Sequence, residues 1–124
     1  MRKINEKIIS IDDSKSVQSF LKSCLENCLE SYTTFPDGQK AVDHLKDNIN
    51  NYDLIFLDWE MPIKDGPTTF YELKELGLKT PVLMLTSKND PKDIVKMIEA
   101  GVFDYLMKPF TQDIIEGKIN LLFP

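Results

Sequence analysis

Short apolar runs alternate with longer amphipathic segments five times along this 124-residue sequence. Short, largely uninterrupted apolar runs are typical of strands that helices cover on both faces. A repeating βα pattern predicts a parallel sheet with right-handed crossovers, and five units are too few for an eight-stranded barrel. We therefore predict an α/β fold, an open five-stranded doubly wound parallel sheet with five helices. The predicted strands are Lys7–Ile11, Tyr32–Phe35, Leu54–Leu57, Pro81–Leu85 and Phe103–Met107.

The amphipathic segments carry residues that commonly begin or end helices. Capping side chains are Asp13 or Ser14 for the first helix and Asp90 for the fourth, and Gly66-Pro67 suits the start of the third. Glycines suited to left-handed stops follow the third and fourth helices, at Gly77 and Gly101. The last helix is predicted from about Thr111, with an interruption at Gly117.

Composition indicates an ordinary globular protein with one domain, residues 1–124. The net charge of −5 argues against direct nucleic-acid binding, which needs a basic face. No apolar run approaches the ~20 residues that span a membrane, and MRKINEKIIS lacks the features of a secretory signal. We therefore expect a cytoplasmic protein without membrane contact. Cys24 and Cys28, four apart in the first helical pattern, are predicted to face the core.

Chemistry-bearing residues follow four of the predicted strands. In open sheets of this kind, ligands bind beyond the carboxyl ends of the strands, where the strand order reverses. The residues at these ends are Asp12 and Asp13, Asp58, Thr86, and Lys108. Converging carboxylates repel one another, so such a cluster needs a positive partner. Mg²⁺ suits carboxylate oxygens, waters and a phosphate, while Lys108 and Thr86 suit phosphate oxygens. Asp58 is then predicted to be a nucleophile for phosphoryl transfer.

Each of these residues also has a plain structural interpretation. An acidic residue after a strand is commonly a helix cap, and a threonine at a strand end is uninformative alone. The combination of residue types at four different strand ends favours a functional site.

At these residues the sequence resembles the response-regulator receiver domains of two-component signalling, such as the chemotaxis response regulator. The matching segments are IISIDDS, LIFLDWEMPIKDG, VLMLTS and EAGVFDYLMKPF. The resemblance implies a flavodoxin-like sheet with strand order 2-1-3-4-5. It also implies phosphorylation of Asp58 by a histidine kinase or phosphotransfer protein.

The resemblance further assigns ligands and a switch. Mg²⁺, with Mn²⁺ as a possible substitute, would be bound by Asp13, Asp58 and the main-chain carbonyl of Glu60, and by Asp12 through water. Lys108 would contact the phosphoryl group, and the Lys108–Pro109 bond is expected to be cis. Thr86 would move toward the phosphoryl oxygen while Tyr105 turns inward. The face of the fourth helix, fifth strand and fifth helix would then change for a partner, which is a two-state equilibrium.

Four other residues are interpreted individually. Glu60 and Lys88 stand two residues after Asp58 and Thr86, and we hypothesise that they pair across the pocket mouth and restrict the attacking water. Trp59 is expected to pack beside the pocket, the alternative being an exposed docking residue. His44 is expected at the surface, without a catalytic part.

Three functions remain open on the sequence. The first is a phosphorylatable receiver that acts as a signalling switch and catalyses only its own phosphoryl transfer and dephosphorylation. The second is a phosphorylation-independent receiver-like interaction module. The third is a phosphohydrolase with an aspartyl nucleophile, a class that typically carries a D-x-D motif and a cap domain, whereas this chain has D-D. The output, the cognate kinase and any fused domain cannot be read from the sequence.

Overall fold

The computed structural model describes residues 6–27, 29–87 and 90–123. Its elements alternate strictly between strand and helix. In chain order they are β1 (Glu6–Ile11), α1 (Lys15–Leu25), β2 (Leu29–Phe35), α2 (Gly38–Leu45), β3 (Leu54–Asp58), α3 (Gly66–Glu75), β4 (Val82–Thr86), α4 (Pro91–Ala100), β5 (Asp104–Met107) and α5 (Gln112–Leu122).

The five strands form one parallel sheet in the order β2-β1-β3-β4-β5, which confirms the predicted fold class and strand order. The order reverses between β1 and β3. Their registered pairs run from Ile8–Leu54 to Ile11–Leu57, so the carboxyl ends of the two strands lie side by side. The crevice expected at such a reversal is therefore at Asp12 and Asp58.

The sheet separates two apolar cores. β3 and β4 are buried along their whole length, as expected for central strands covered on both faces. One core contains residues of α2, α3 and α4, including Phe70 and Met97, and the other contains residues of α1 and α5, including Leu21 and Ile115. Cys24 lies in the second core, as predicted. Cys28 lies outside the described residues.

Helix ends follow the predicted capping chemistry. The side chains of Ser14 and Asp90 accept hydrogen bonds from the main-chain N–H groups of Val17 and Lys92. Gly77 and Gly101 have φ angles of 94° and 118°, in the left-handed region that glycine adopts at low cost.

Three expectations need correction. β2 begins at Leu29 rather than Tyr32, because its partly exposed edge position allows polar residues that weaken the apolar pattern. α5 is continuous through Gly117, because one glycine costs only about 1 kcal/mol and the buried Ile115 and Ile119 anchor the helix on the sheet. His44 is partly buried rather than at the surface.

The position of His44 has a clear cause. The centroid of its ring lies 5.1 Å from that of the Phe35 ring, with the two rings tilted by 39°, and its Nε2 atom lies 2.7 Å from the hydroxyl of Tyr52. Phe35 lies on β2 and Tyr52 lies between α2 and β3, so helical periodicity alone does not reveal these contacts. Within the described part of the chain, no helix is both long and apolar enough to cross a membrane.

Candidate functional site

Three aspartates meet at the carboxyl ends of β1 and β3. Asp12 and Asp58 are buried, at 2% and 4% exposure, whereas Asp13 is exposed to solvent. One carboxylate oxygen from each residue lies within 4.8 Å of the others. The predicted acidic cluster therefore forms, with its open side at Asp13.

The carboxylate of Asp12 is held on two sides. Its Oδ1 atom accepts a hydrogen bond from the main-chain N–H of Ser14 at 2.8 Å, and its Oδ2 atom lies 3.2 Å from the Nζ atom of Lys108. The main-chain N–H of Asp12 donates to the carbonyl of Phe35 at 3.0 Å. Asp12 is therefore fixed by β2, by the start of α1 and by Lys108 together.

Lys108 links the two buried aspartates. Its Nζ atom lies 3.0 Å from Asp58 Oδ1 in addition to its contact with Asp12. Its main-chain N–H donates to the carbonyl of Thr86 at 2.8 Å, which fixes the end of β5 against β4. The Lys108–Pro109 peptide bond is cis, as expected. Burial disfavours the ammonium, but the hydrogen bond with Asp58 and the charge of Asp12 outweigh it, so the pKa of Lys108 is raised.

Asp58 is the most perturbed acid of the cluster. Burial raises its pKa from 3.8 to about 6. The hydrogen bond from Lys108 lowers the pKa, and the negative charges of Asp12 and Asp13 raise it further. The net positive shift means that one ammonium does not fully compensate this carboxylate, and the site suits a further cation.

The other predicted site residues lie around this cluster. Thr86 is buried at the end of β4, one residue beyond Leu85, which is in register with Asp58. Tyr105 on β5 is partly buried, and Lys118 Nζ lies 5.8 Å from the centre of its ring. Glu60 is exposed. Lys88 lies outside the described residues, so its pairing with Glu60 stays a prediction.

Trp59 packs against the core rather than standing free in solvent. Its side chain is partly buried beside the core cluster that includes Phe70 and Met97. Its main-chain N–H donates to the carbonyl of Leu85 at 2.8 Å, and its carbonyl accepts from the N–H of Gly66 at the same distance. The prediction that this residue packs rather than standing exposed is confirmed.

Gly66 brings the start of α3 against the main chain of the site. A Cβ atom at this position would lie 2.4 Å from the carbonyl oxygen of Asp58 and 2.9 Å from the Cα atom of Trp59. Only glycine permits this approach without a shift of the backbone. The absence of a side chain at Gly66 therefore lets α3 begin directly against the main chain of the site.

One side chain at the site is not predicted from the sequence. Gln18, on α1, donates hydrogen bonds from Nε2 to main-chain carbonyls that include that of Asp12, at 3.0 Å. A glutamine in the first turns of an amphipathic helix is normally assigned to its solvated face. The available signal was its spacing, one helical turn after the capping Ser14, which places it over the end of β1.

Comparison with known proteins gives a consistent family. A family model described as response regulator receiver domain matches residues 8–120. The transcriptional regulatory protein CpxR of Escherichia coli is 37% identical over 118 residues, which are 94% of this chain and 48% of CpxR. The two-component response regulator ARR12 of Arabidopsis thaliana is 36% identical over 106 residues, 86% of this chain and 18% of that protein.

A solved structure shares both fold and sequence. The receiver domain of the Francisella response regulator 1452 superimposes with a TM-score of 0.83 at 34% identity, covering 95% of this chain and 96% of that one. The chain spans less than half the length of the two curated relatives above, at 48% and 18%.

Proposed function

The chain belongs to the response regulator receiver family of two-component signalling, and we propose that it is a switch phosphorylated on Asp58. One observation carries the proposal. Lys108 Nζ contacts both Asp12 and Asp58, at 3.2 and 3.0 Å, so a fixed positive charge lies beside the proposed acceptor. The receiver domain is taken as residues 1–124, which the family match over residues 8–120 supports.

In the proposed reaction, a carboxylate oxygen of Asp58 attacks the phosphorus of a phosphohistidine on a histidine kinase or phosphotransfer protein. A P–O bond forms, the P–N bond breaks, and the leaving imidazole takes up a proton. With a pKa of about 6, Asp58 is mostly ionised at neutral pH and available as a nucleophile. Lys108 then contacts the phosphoryl group and Thr86 donates its hydroxyl to a phosphoryl oxygen.

The acidic cluster fits Mg²⁺, with Mn²⁺ as a substitute. One carboxylate oxygen of each aspartate lies within 4.8 Å of the others, and carboxylate oxygens are ligands that Mg²⁺ prefers. Asp13, Asp58 and the main-chain carbonyl of Glu60 would hold the cation directly, and Asp12 through water. When bound, the cation neutralises charge on the transferring phosphoryl group.

We propose that Thr86 and Tyr105 couple phosphorylation to partner binding. Thr86 moves toward the phosphoryl group, and Tyr105 turns inward beside it on the neighbouring strand β5. The face formed by α4, β5 and α5 thereby changes for its partner. Glu60, which is exposed, and Lys88 are proposed to set the lifetime of the phosphoryl group. A Lys88→Ala variant with an unchanged lifetime would exclude that role for Lys88.

The biological context is proposed from the relatives. CpxR is named a transcriptional regulatory protein, and less than half of it corresponds to this chain, so a linked output unit is one context for the switch. The histidine kinase or phosphotransfer donor is proposed by class only. Direct nucleic-acid binding by this domain is not expected, and the cytoplasmic location stays a prediction.

The deciding experiment is incubation with Mg²⁺ and acetyl phosphate or phosphoramidate, followed by intact mass measurement. One phosphoryl adduct on the parent protein and none on Asp58→Asn is the expected result. No adduct on a folded parent protein would favour the phosphorylation-independent module. Sustained release of phosphate over many turnovers without an accumulating adduct would favour a phosphohydrolase. Omitting Mg²⁺ should suppress the adduct, and Mn²⁺ should restore it.

A further inference from the structure

The side chain of Gln18 reaches from α1 to the end of the sheet. Its Nε2 atom lies 3.1 Å from the carbonyl oxygen of Ser10, 3.0 Å from that of Asp12 and 3.4 Å from that of Phe35. Ser10 and Phe35 lie at the ends of β1 and β2, and Asp12 directly follows β1. One amide group thus connects a helix to both strands beside the acidic cluster.

Tyr32 fixes the orientation of this amide. Its hydroxyl lies 3.0 Å from the Oε1 atom of Gln18 and 3.0 Å from the main-chain carbonyl oxygen of Gln18, and its single hydrogen is shared between these two acceptors. Because Oε1 accepts from the phenol, Nε2 is the atom that faces the carbonyls. Burial raises the pKa of Tyr32 to about 12, so the phenol remains a donor at physiological pH.

The chain between β1 and α1, which these hydrogen bonds hold in place, carries Asp12 and Asp13, two of the three clustered aspartates. Without a bound metal ion, the carboxylates of Asp12, Asp13 and Asp58 repel one another, and a movement of the chain between β1 and α1 would relieve this repulsion. The hydrogen bonds of Gln18 to Ser10 and Asp12 oppose such movement at its origin. They are therefore placed to keep the carboxylates close before any cation arrives.

We propose that Gln18, oriented by Tyr32, is a positioning residue that preorganises Asp12 and Asp13 for binding of a divalent cation. The inference rests on the proposed function, since it concerns the same acidic cluster. Residues that orient metal ligands typically change metal affinity by 10–100-fold when removed. A packing role alone would instead change stability and leave the affinity of the folded protein unaltered.

The test is Mg²⁺ titration of Gln18→Met, which keeps the length of the side chain and removes the amide. Trp59, the only tryptophan in the sequence, reports the site by fluorescence, and calorimetry measures the affinity independently. We expect a loss of affinity of about tenfold. Gln112→Met is the matched control, because Gln112 is exposed on α5, where its side-chain amide donates a hydrogen bond to the carboxylate of Glu116.

Tyr32→Phe provides the second variant. It keeps the ring and Gln18 but removes the donor that orients the amide, so we expect a smaller loss of affinity in the same direction. In the double variant, which combines Gln18→Met with Tyr32→Phe, the two losses of Mg²⁺ affinity should not add, because each substitution disrupts the same set of hydrogen bonds. This coupling is the readout that a packing role does not produce.

The outcomes separate the inference from the proposed function. If the parent protein shows no saturable Mg²⁺ binding, the proposed function fails. If the parent protein binds Mg²⁺ and folded Gln18→Met binds it equally well, positioning by Gln18 is wrong. If Gln18→Met fails to fold, unchanged Mg²⁺ affinity in Tyr32→Phe would overturn the inference. Gln18→Glu can then replace Gln18→Met in the double variant, and additive losses of Mg²⁺ affinity from Gln18→Glu and Tyr32→Phe would also overturn it.

Discussion

Replacing Asp58 by asparagine removes a buried carboxylate whose ionised form is disfavoured in the folded chain. The pKa rises from 3.8 to about 6, so ionisation of Asp58 is less favourable in the folded chain than in the unfolded chain by roughly two pKa units. At 1.36 kcal/mol per unit, the ionised carboxylate costs up to about 3 kcal/mol above pH 6, and screening at the rim reduces this to about 1–3 kcal/mol. Asp58→Asn should therefore stabilise the metal-free protein at neutral pH.

The direction of the Asp58 pKa shift determines the pH range in which Asp58→Asn is more stable than the parent protein. A raised carboxyl pKa means that the folded state binds the proton more tightly than the unfolded state. The cost is fully present above about pH 6, declines as the pH falls, and is absent below about pH 4, where both states are protonated. The stability gap between Asp58→Asn and the parent protein should close over the same interval.

Chemical denaturation in the presence of a chelator, repeated across this interval, measures the gap directly. Asp47→Asn, which removes an exposed aspartate, is the matched control and should show little change at any pH. Mg²⁺ should stabilise the parent protein more than Asp58→Asn and so narrow the gap. A parent protein as stable as Asp58→Asn at neutral pH, or more stable, would refute the reasoning and show that the Lys108 contact outweighs burial.

Three further substitutions test the geometry of the site and of α5. Lys108→Met leaves Asp12 and Asp58 without their shared cation, so we expect a loss of about 1–3 kcal/mol at neutral pH that Mg²⁺ partly restores in thermal melts. Gly66→Ala places a Cβ atom 2.4 Å from the carbonyl of Asp58. It should cost about 1–3 kcal/mol and slow adduct formation from acetyl phosphate. Gly117→Ala, where an added Cβ atom meets no neighbour within 4 Å, should raise stability by about 0.5–1 kcal/mol, measured by denaturation.

The residues that follow the strands were the most predictable part of the site. Asp12, Asp58 and Lys108 come directly after apolar runs, and parallel strands end at the same edge of a sheet, so sequence pattern alone brings them together. The fold followed from the same periodicity. The predicted β2 was shorter than the observed strand, because an edge strand tolerates polar residues such as Glu30 and Ser31, which interrupt the apolar pattern.

Contacts made by side chains across elements were not predictable. Gln18 donates hydrogen bonds to main-chain carbonyls of β1 and β2. These contacts depend on which face of α1 lies over the sheet, and a small rotation of the helix about its axis would change that face. His44 was assigned to the surface because its partners, Phe35 and Tyr52, lie outside α2. Gly117 was read as a break because helix propensity omits the anchoring by buried neighbours.

Lys108 forms contacts between parts of the chain that are far apart in sequence, and such contacts affect the order of folding. Its contacts with Asp12 and Asp58 span 96 and 50 residues of sequence. Contacts of such separation form late, because loop closure must be completed first. During synthesis, Asp12, Asp13 and Asp58 are made before the lysine that neutralises two of them, and chains that stop short of β5 lack this neutralising amine.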